Sequence, residues 1–168
     1  LIPHHVQVGD FHFFISNLAY NNVADSSIHN YGCHEPWLTQ KFVENLTKDD
    51  VLYDIGAANG YYTLLASFIT KNIYAFEPNK ISKRIQNNSI TTKKFVSDKD
   101  DEFNVSLDKC LEDTRIYTVP TVLKIDVEGA ETKVIRGAKQ LIESHKPKYL
   151  WKYTHCHLRT YSFSRYAS

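Results

Sequence analysis

The sequence contains no methionine, and no apolar run in it approaches the length needed to cross a membrane. Because position 1 is a leucine, we expect the chain to be a fragment or a processed product, or its true start to lie upstream. The cysteines are few and far apart, Cys33, Cys110 and Cys156, and none forms a CxxC pair. They therefore indicate neither a disulfide framework nor a structural zinc site, and predict a reduced, cytoplasmic setting.

The sequence also lacks an excess of charge of either sign, with 20 basic and 19 acidic residues. This balance gives no electrostatic reason to expect a DNA-binding protein or a strongly acidic partner. Its lysines are scattered, apart from Lys93-Lys94 and a loose group at 139–152 that we interpret as a solvated face. The length of 168 residues favours one domain with a sizeable core.

Short apolar runs alternate with helical patterns along most of the chain. This alternation predicts an α/β fold, in which a parallel sheet is covered by helices on both faces. A hairpin is predicted at 6–16 and a loop at 17–34. Strands are predicted at 51–55, 72–78, 121–127 and 148–151, with a weak one at 95–97. Helices are predicted at 35–46, 61–70, 80–88, 106–113 and 131–144.

The stretch DIGAANGYYT joins the first predicted sheet strand to a helix. Gly56 and Gly60 would let the backbone approach a ligand, and the amide groups at the helix start would point towards it. The spacing Gly-x-x-x-Gly differs from the Gly-x-Gly-x-x-Gly fingerprint of dinucleotide-binding proteins. Asp54 precedes the turn, where it could meet a cationic amine such as a methionine-type α-amino group.

Glu77 ends the next predicted strand, 17 residues after Gly60. An acid at this place can accept hydrogen bonds from both hydroxyls of an unphosphorylated ribose. Either carboxylate alone, Asp54 or Glu77, could equally be an ordinary strand-end acid in solvent. Together, on successive strands, they favour a ligand site.

The segment LKIDVEGAE places Asp126 at the carboxyl end of an apolar strand and Glu128 in the turn that follows. A carboxylate in that position is costly without a partner or a task, so we expect Asp126 to be functional. Glu128 and Glu131 have a second interpretation, since acids also suit the positive end of a helix. For Glu131 the two interpretations carry equal weight.

The motifs DIGAANGYYT, AFEPN, SLD and LKIDVEGAE, followed by a helix with Gly137 and Ala138, resemble the FkbM-type S-adenosylmethionine-dependent methyltransferases. The resemblance extends over residues 31–151, between an N-terminal hairpin and loop at 1–30 and an atypical tail at 152–168. It implies a Rossmann-like, three-layer αβα sheet and S-adenosylmethionine as the methyl donor. It further implies O-methylation of a sugar or secondary-metabolite hydroxyl, with a small-molecule or glycan acceptor. The scattered lysines lead us to expect no nucleic-acid partner.

The resemblance also implies a role for individual residues. Asp126 is the first candidate for the base that deprotonates or orients the acceptor hydroxyl, and Glu128 is the second. Glu35, ahead of the sheet, is a candidate pocket residue. The expected cofactor-binding residues are Asp54, Gly56, Ala57, Asn59, Gly60, Tyr61, Glu77, Pro78, Ser97 and Asp98. We expect no metal site, because the histidine groups His4-His5 and His155–His157 have no partners at a zinc spacing.

The tail after KYLW departs from the family pattern, because Leu158 and Ala167 are its only aliphatic residues. We therefore expect the sheet to lack its C-terminal strands, as a truncated or frame-shifted gene would produce. A catalytically impaired domain that only binds the donor is the alternative to an active methyltransferase. A nicotinamide-dependent oxidoreductase is disfavoured by the missing third glycine of the dinucleotide fingerprint.

Overall fold

A computed structural model describes residues 4–15, 28, 30–79, 86–153 and 160–164. Its strands are β1 His4–Val8, β2 Phe11–Ile15, β3 Val51–Ile55, β4 Asn72–Phe76, β5 Ile90–Thr92, β6 Phe95–Val96, β7 Asn104–Val105, β8 Val122–Ile125, β9 Lys148–Tyr153 and β10 Thr160–Ser164. Its helices are α1 Pro36–Asn45, α2 Tyr61–Ala66, α3 Leu107–Cys110, α4 Glu131–Arg136 and α5 Lys139–His145.

Six strands form one sheet in the order β10-β9-β8-β3-β4-β5. Strands β9, β8, β3, β4 and β5 run parallel to their neighbours, and β10 is antiparallel to β9. Strands β1 and β2 form a separate antiparallel hairpin, as the sequence predicts. The predicted α/β class with a parallel central sheet is therefore confirmed.

Strand β3 lies at the centre of the sheet, and all five of its residues are buried. Its side chains alternate between two hydrophobic clusters, because successive residues of a strand point to opposite faces. Leu52 packs in the cluster formed with the hairpin, α1 and α2. Tyr53 and Ile55 pack in the cluster formed with α3, α4 and α5. Helices thus cover both faces of the sheet, in three layers.

The predicted helix at 131–144 is two helices, α4 and α5, which Gly137 and Ala138 separate. A β-carbon on Gly137 would collide with the backbone oxygen of Ser97, so only glycine permits this approach. Asp108 then starts the second helix, since its carboxylate accepts hydrogen bonds from the backbone amides of Gln140 and Leu141 at 3.0 and 2.9 Å. These contacts with Ser97 and Asp108 therefore divide the helix in two, although its apolar stripe is continuous in the sequence.

Other predicted elements differ in their bounds. The helix predicted at 61–70 ends at Ala66 and continues as a turn. The third strand beside β4 is β5, whereas the predicted strand at 95–97 is β6, which pairs with β7 outside the main sheet. The loop predicted at 17–34 is helical at residues 28, 30 and 31, and its residues 17–27 and 29 lie outside the described residues. Of the helix predicted at 80–88, residues 80–85 lie outside the described residues.

The expectation that the sheet lacks its C-terminal strands is wrong for one strand. Strand β10 pairs along its whole length with β9, from Thr160 opposite Tyr153 to Ser164 opposite Tyr149. An edge strand of this kind requires backbone pairing and no continuous apolar run, which is why the polar sequence TYSFS can form it. No helix among the described residues is long and apolar enough to cross a membrane.

Candidate active site

The turn that follows β3 is held tightly against the end of β4. The backbone amides of Gly56 and Ala57 both donate to the carbonyl of Phe76, at 2.9 and 3.1 Å, and the amide of Gly60 donates to the carbonyl of Ala57 at 2.7 Å. Gly56, Ala58 and Gly60 all have positive φ angles, of 77°, 48° and 85°. The two glycines adopt this conformation without steric cost, which explains their spacing. We name residues 56–60 the donor turn, after the role that the sequence predicts for them.

Asn59 and Tyr61 complete the donor turn where helix α2 begins. The side-chain oxygen of Asn59 accepts a hydrogen bond from the backbone amide of Tyr61 at 3.1 Å. Tyr61 and Tyr62 are both buried, with 2% and 3% exposure, and pack in the same core cluster. The turn is thus fixed from three sides: by β4, by its own side chains and by the start of α2.

Asp54 is wholly buried, and its carboxylate faces the lysine of the neighbouring strand. Its Oδ1 lies 2.9 Å from Nζ of Lys124, and its Oδ2 accepts a hydrogen bond from the Thr63 hydroxyl at 2.6 Å. The two residues are register partners in the parallel pair β3–β8. Asp54 is therefore held inside the protein by Lys124 and Thr63, next to the turn that follows β3.

Lys124 is buried, with 3% exposure, and makes two further contacts besides the one with Asp54. Its ammonium also donates to the carbonyl of Gly56 at 3.0 Å and lies over the ring of Tyr62, 5.1 Å from the centroid. Burial lowers the pKa of Lys124, but the charges of Asp54, Asp126 and Glu35 raise it by a larger amount. The pKa therefore lies above its ordinary value. The lysine is therefore charged at neutral pH.

Glu77, directly after β4, is buried, and its carboxylate is bonded to the donor turn. Its Oε2 accepts from the backbone amide of Ala58 at 2.9 Å, and its Oε1 accepts from the backbone and side-chain nitrogens of Asn79 at 3.0 and 2.8 Å. A carboxylate has about four acceptor sites, so one remains on Oε2 for a ligand hydroxyl. The acid thus fixes Ala58 in its left-handed conformation and keeps acceptor capacity beside it.

A cleft of about 230 Å³ opens at this edge, between the ends of β3, β4 and β6 and the start of α4. Drug-sized ligands occupy roughly 300–1,000 Å³, so the cleft has room for a base rather than for a whole nucleotide. Ser97 lines it and donates to Asn104 at 3.3 Å, whereas Asp98 is exposed and lies 3.9 Å from Arg136. The lining of the cleft is mainly apolar and includes a few polar groups. The lining residues are Ile55, Gly56, Phe76, Pro78, Lys94, Phe95, Val96, Ser97, Asn104, Val127, Ala130 and Lys133.

Two larger clefts, of about 490 and 600 Å³, lie at the opposite edge of the sheet. One is lined by residues around the start of β4, and the other by residues around the starts of β8 and β9. Open α/β sheets bind ligands at the carboxyl ends of their strands. We therefore assign the site to the smaller cleft, which is lined by Gly56 and by the chain neighbours of Glu77 and Asp126.

The acids of DVEGAE take three different places. Asp126 is half-buried at the end of β8, and its backbone amide donates to the carbonyl of Ile55 at 3.0 Å. Glu128 is exposed and has a positive φ of 49°. Glu131 is buried, and its carboxylate accepts a hydrogen bond from the amide of Gly129 at 3.0 Å, so it stabilises the turn before α4. Asp126 is thus the acid at the same sheet edge as Gly56.

Glu35 also belongs to this neighbourhood, although it lies far from Lys124 in sequence. It is buried, has a positive φ of 45°, and its carboxylate lies 3.5 Å from the imidazole of His34. Burial raises the pKa of Tyr62 well above its ordinary value, and the charges of Glu35 and Asp126 raise it further. Tyr62 is therefore a neutral phenol near two acids and one lysine.

Reasoning from the sequence misses Lys124 as a site residue, although a signal for it exists. The buried strands VLYDI and VLKI each carry one charge, of opposite sign, and adjacent parallel strands can bring such residues together. Thr63, Asn79 and Asn104 are missed because nothing in their local sequence distinguishes them. Among the described residues, no group of three or more histidine, cysteine or acidic side chains could hold a metal ion.

Residues 92–164 match the family Methyltransferase FkbM domain. The match confirms the resemblance over DVEGAE and extends through β10, beyond the end of the predicted domain at residue 151. The donor turn and Glu77 precede the matched segment. Comparison with curated proteins gives no match.

Two solved structures share the fold. Methyltransferase FkbM from Methylobacillus flagellatus KT is 20% identical with a TM-score of 0.51, over 64% of this chain and 34% of that one. Precorrin-6Y C5,15-methyltransferase from Geobacter metallireducens GS-15 is 19% identical with a TM-score of 0.50, over 72% of this chain and 63% of that one. The chain thus spans about a third of the first and less than two thirds of the second. At these identities the comparison concerns the fold alone.

Proposed function

We propose, from the match to the FkbM methyltransferase domain, that this protein transfers a methyl group from S-adenosylmethionine to a hydroxyl of a sugar or secondary metabolite. The observation that carries the proposal is the position of Glu77. Its carboxylate ends β4, holds the donor turn through Ala58, and lies beside a cleft large enough for a base. An acid in that position can accept a hydrogen bond from a ribose hydroxyl, for which one acceptor site on Oε2 remains.

The residues of the cleft suit an adenosyl group. Pro78, Val127 and the buried ring of Phe76 offer apolar surface for a base, and Ser97 and Asn104 offer polar groups at its edge. Ala57 and Asn59 lie in the donor turn between the two glycines. Asp98 belongs at the exposed margin of the cleft, where its carboxylate is paired with Arg136.

S-adenosylmethionine supplies a methyl group already activated on a sulfonium, so the protein must chiefly position the acceptor and remove its proton. Asp126 is the group that we propose for this task, because it is half-buried at the same edge as the donor turn. Glu128 is the second candidate, and its exposure makes it the weaker one. Glu35 closes the acceptor side from the segment before α1.

Glu77→Gln tests the donor site. The variant keeps the shape of the side chain and an acceptor for Ala58, but it loses the charge that a ribose would meet. Hydrogen bonds to charged groups contribute about 1.5–3 kcal/mol, so affinity for S-adenosylmethionine should fall roughly ten- to a hundredfold in titration calorimetry. Glu44→Gln, an exposed acid on α1, is the matched control and should bind as the wild type does. Equal affinity in a folded Glu77→Gln would refute the ribose role.

Turnover requires a second measurement, with labelled donor against pooled sugars, glycolipids and nucleic acids. Label in the sugar or glycolipid pool supports the proposal, and label in nucleic acid alone contradicts the acceptor class. Donor binding without transfer to any pool would favour a domain that only binds the donor. The cytoplasmic setting indicated by the cysteines stays a prediction.

A further inference from the structure

One buried lysine, Lys124, connects strand β3, the donor turn and helix α2. Lys124 contacts Asp54 of β3, the carbonyl of Gly56 in the donor turn and the ring of Tyr62 in α2. Asp126 follows two residues later, directly after the strand of Lys124. The residues with which Lys124 interacts thus belong to several elements that meet at the ligand edge.

The contact with Gly56 is not needed to neutralise Asp54. A lysine ammonium has three donors, and an ion pair with Asp54 uses one of them. A second donor reaches the Gly56 carbonyl at 3.0 Å, at the point where the chain leaves β3 with a φ of 77°. The amides of Gly56 and Ala57 are fixed to Phe76 on the β4 side, so Lys124 fixes the same peptide from the β8 side.

The charges around the lysine support this role. Asp54, Asp126 and Glu35 are the acids whose charges act on Lys124, and Tyr62 stays neutral beside it. An amine nitrogen can donate a hydrogen bond whether it is charged or neutral, so the contact of Lys124 with the Gly56 carbonyl persists when Asp54 is neutralised. This makes it possible to remove the ion pair and the turn contact separately.

We propose that Lys124 is a positioning residue for donor binding, because it fixes the donor turn through the Gly56 carbonyl. The role rests on the proposed function, since it assigns the turn to the methyl donor. Lys124 touches neither the cleft nor an acceptor; it acts through the backbone of Gly56.

The test compares two variants of the full chain. Asp54→Asn alone removes the ion pair and keeps the side-chain nitrogen of Lys124 on the Gly56 carbonyl. The double variant Asp54→Asn/Lys124→Met removes both buried charges together, so no unpaired acid is left at position 54. Any difference between the two variants then belongs to Lys124. Asp50→Asn/Lys148→Met is the matched control, because that pair, at 3.1 Å, joins β3 and β9 at the opposite edge of the sheet.

We expect hydrogen exchange of the Gly56 and Ala57 amides to be at least tenfold faster in the double variant than in Asp54→Asn. Affinity for S-adenosylmethionine should fall about tenfold or more, whereas kcat at saturating donor should change less, since Lys124 makes no contact with the reacting groups. The control pair should leave both the exchange of the turn and the donor affinity unchanged.

Equal donor affinity in the folded double variant and in Asp54→Asn would overturn the inference, whatever the exchange rates show. If the wild-type chain binds no donor in calorimetry, the proposed function fails. The role of Lys124 in fixing the turn is then decided by exchange alone, and unchanged protection of Gly56 and Ala57 would overturn it.

Discussion

A β-carbon added to Gly56 would collide with the backbone oxygen of Asp126. The donor turn and the end of β8 are therefore in direct backbone contact, with no side chain between them. This contact brings the candidate base to the ligand edge, and it explains why the first position of the Gly-x-x-x-Gly pattern must be glycine.

Replacing Gly56 by alanine should displace the turn and weaken donor binding at least tenfold. Gly9→Ala is the matched control, since Gly9 also has a positive φ, of 56°, but has open space around it. The control should lose only the stability that an alanine in the left-handed conformation costs, about 1–2 kcal/mol. Urea unfolding and donor calorimetry on both variants measure this difference. Equal losses would show that the contact with Asp126 does not constrain the turn.

Asp126→Asn should lower methyl transfer by about two to four orders of magnitude, the usual contribution of a general base. Donor affinity should change far less, because the donor turn and Glu77 stay intact. Glu128→Gln is the comparison, and a larger loss there would transfer the role to Glu128. Loss of donor binding together with turnover in Asp126→Asn would instead make Asp126 part of the donor site.

Asp108 caps α5 from outside the helix, so Asp108→Ala should destabilise the fold. Two backbone amides lose their acceptor, and losing a cap costs about 0.5–2 kcal/mol. Asp113→Asn is the control, because Asp113 pairs with the exposed Arg115 on the surface, where ion pairs contribute little. Chemical unfolding of the two variants should separate them. Similar stability would show that the cap is replaced by water.

Asp50 should make stability depend on pH. Burial raises the pKa of Asp50, but hydrogen bonds from Thr121, Thr47 and Lys148 outweigh it, and the pKa lies below its ordinary value. The stabilisation is therefore complete above the unfolded pKa, about 3.9, and is lost as pH falls through the lower folded value. Asp50→Asn should be less stable at pH 7 and 5, by roughly 3 kcal/mol.

Urea unfolding of wild type and Asp50→Asn at pH 7, 5 and 3 measures that dependence. The difference between the two should shrink at pH 3, because the carboxylate of the unfolded chain is then largely protonated and unfolding takes up a proton. A difference of the same size at pH 3 and pH 7 would mean that the charge of Asp50 does not contribute.

The sheet core was predictable because VLYDI, NIYAF and VLKI are compact apolar runs that only a doubly covered sheet can bury. Strand β5 was not, since ITT is short and partly exposed and owes its strand conformation to pairing with β4. Asp54 illustrates the same limit within the site. Its acidity and position were evident, but its partner Lys124 is 70 residues away in sequence, so local reasoning assigned it an external amine.

The antiparallel strand β10 has a consequence for how copies of this protein behave towards one another. Strand β9 has six residues, and without β10 it would present a row of unsatisfied backbone amides and carbonyls at the margin of the sheet. Such margins recruit strands from other molecules, which leads to aggregation. Pairing from Thr160 to Ser164 occupies those groups, so the short, polar strand TYSFS replaces β9 as the margin of the sheet that other molecules meet.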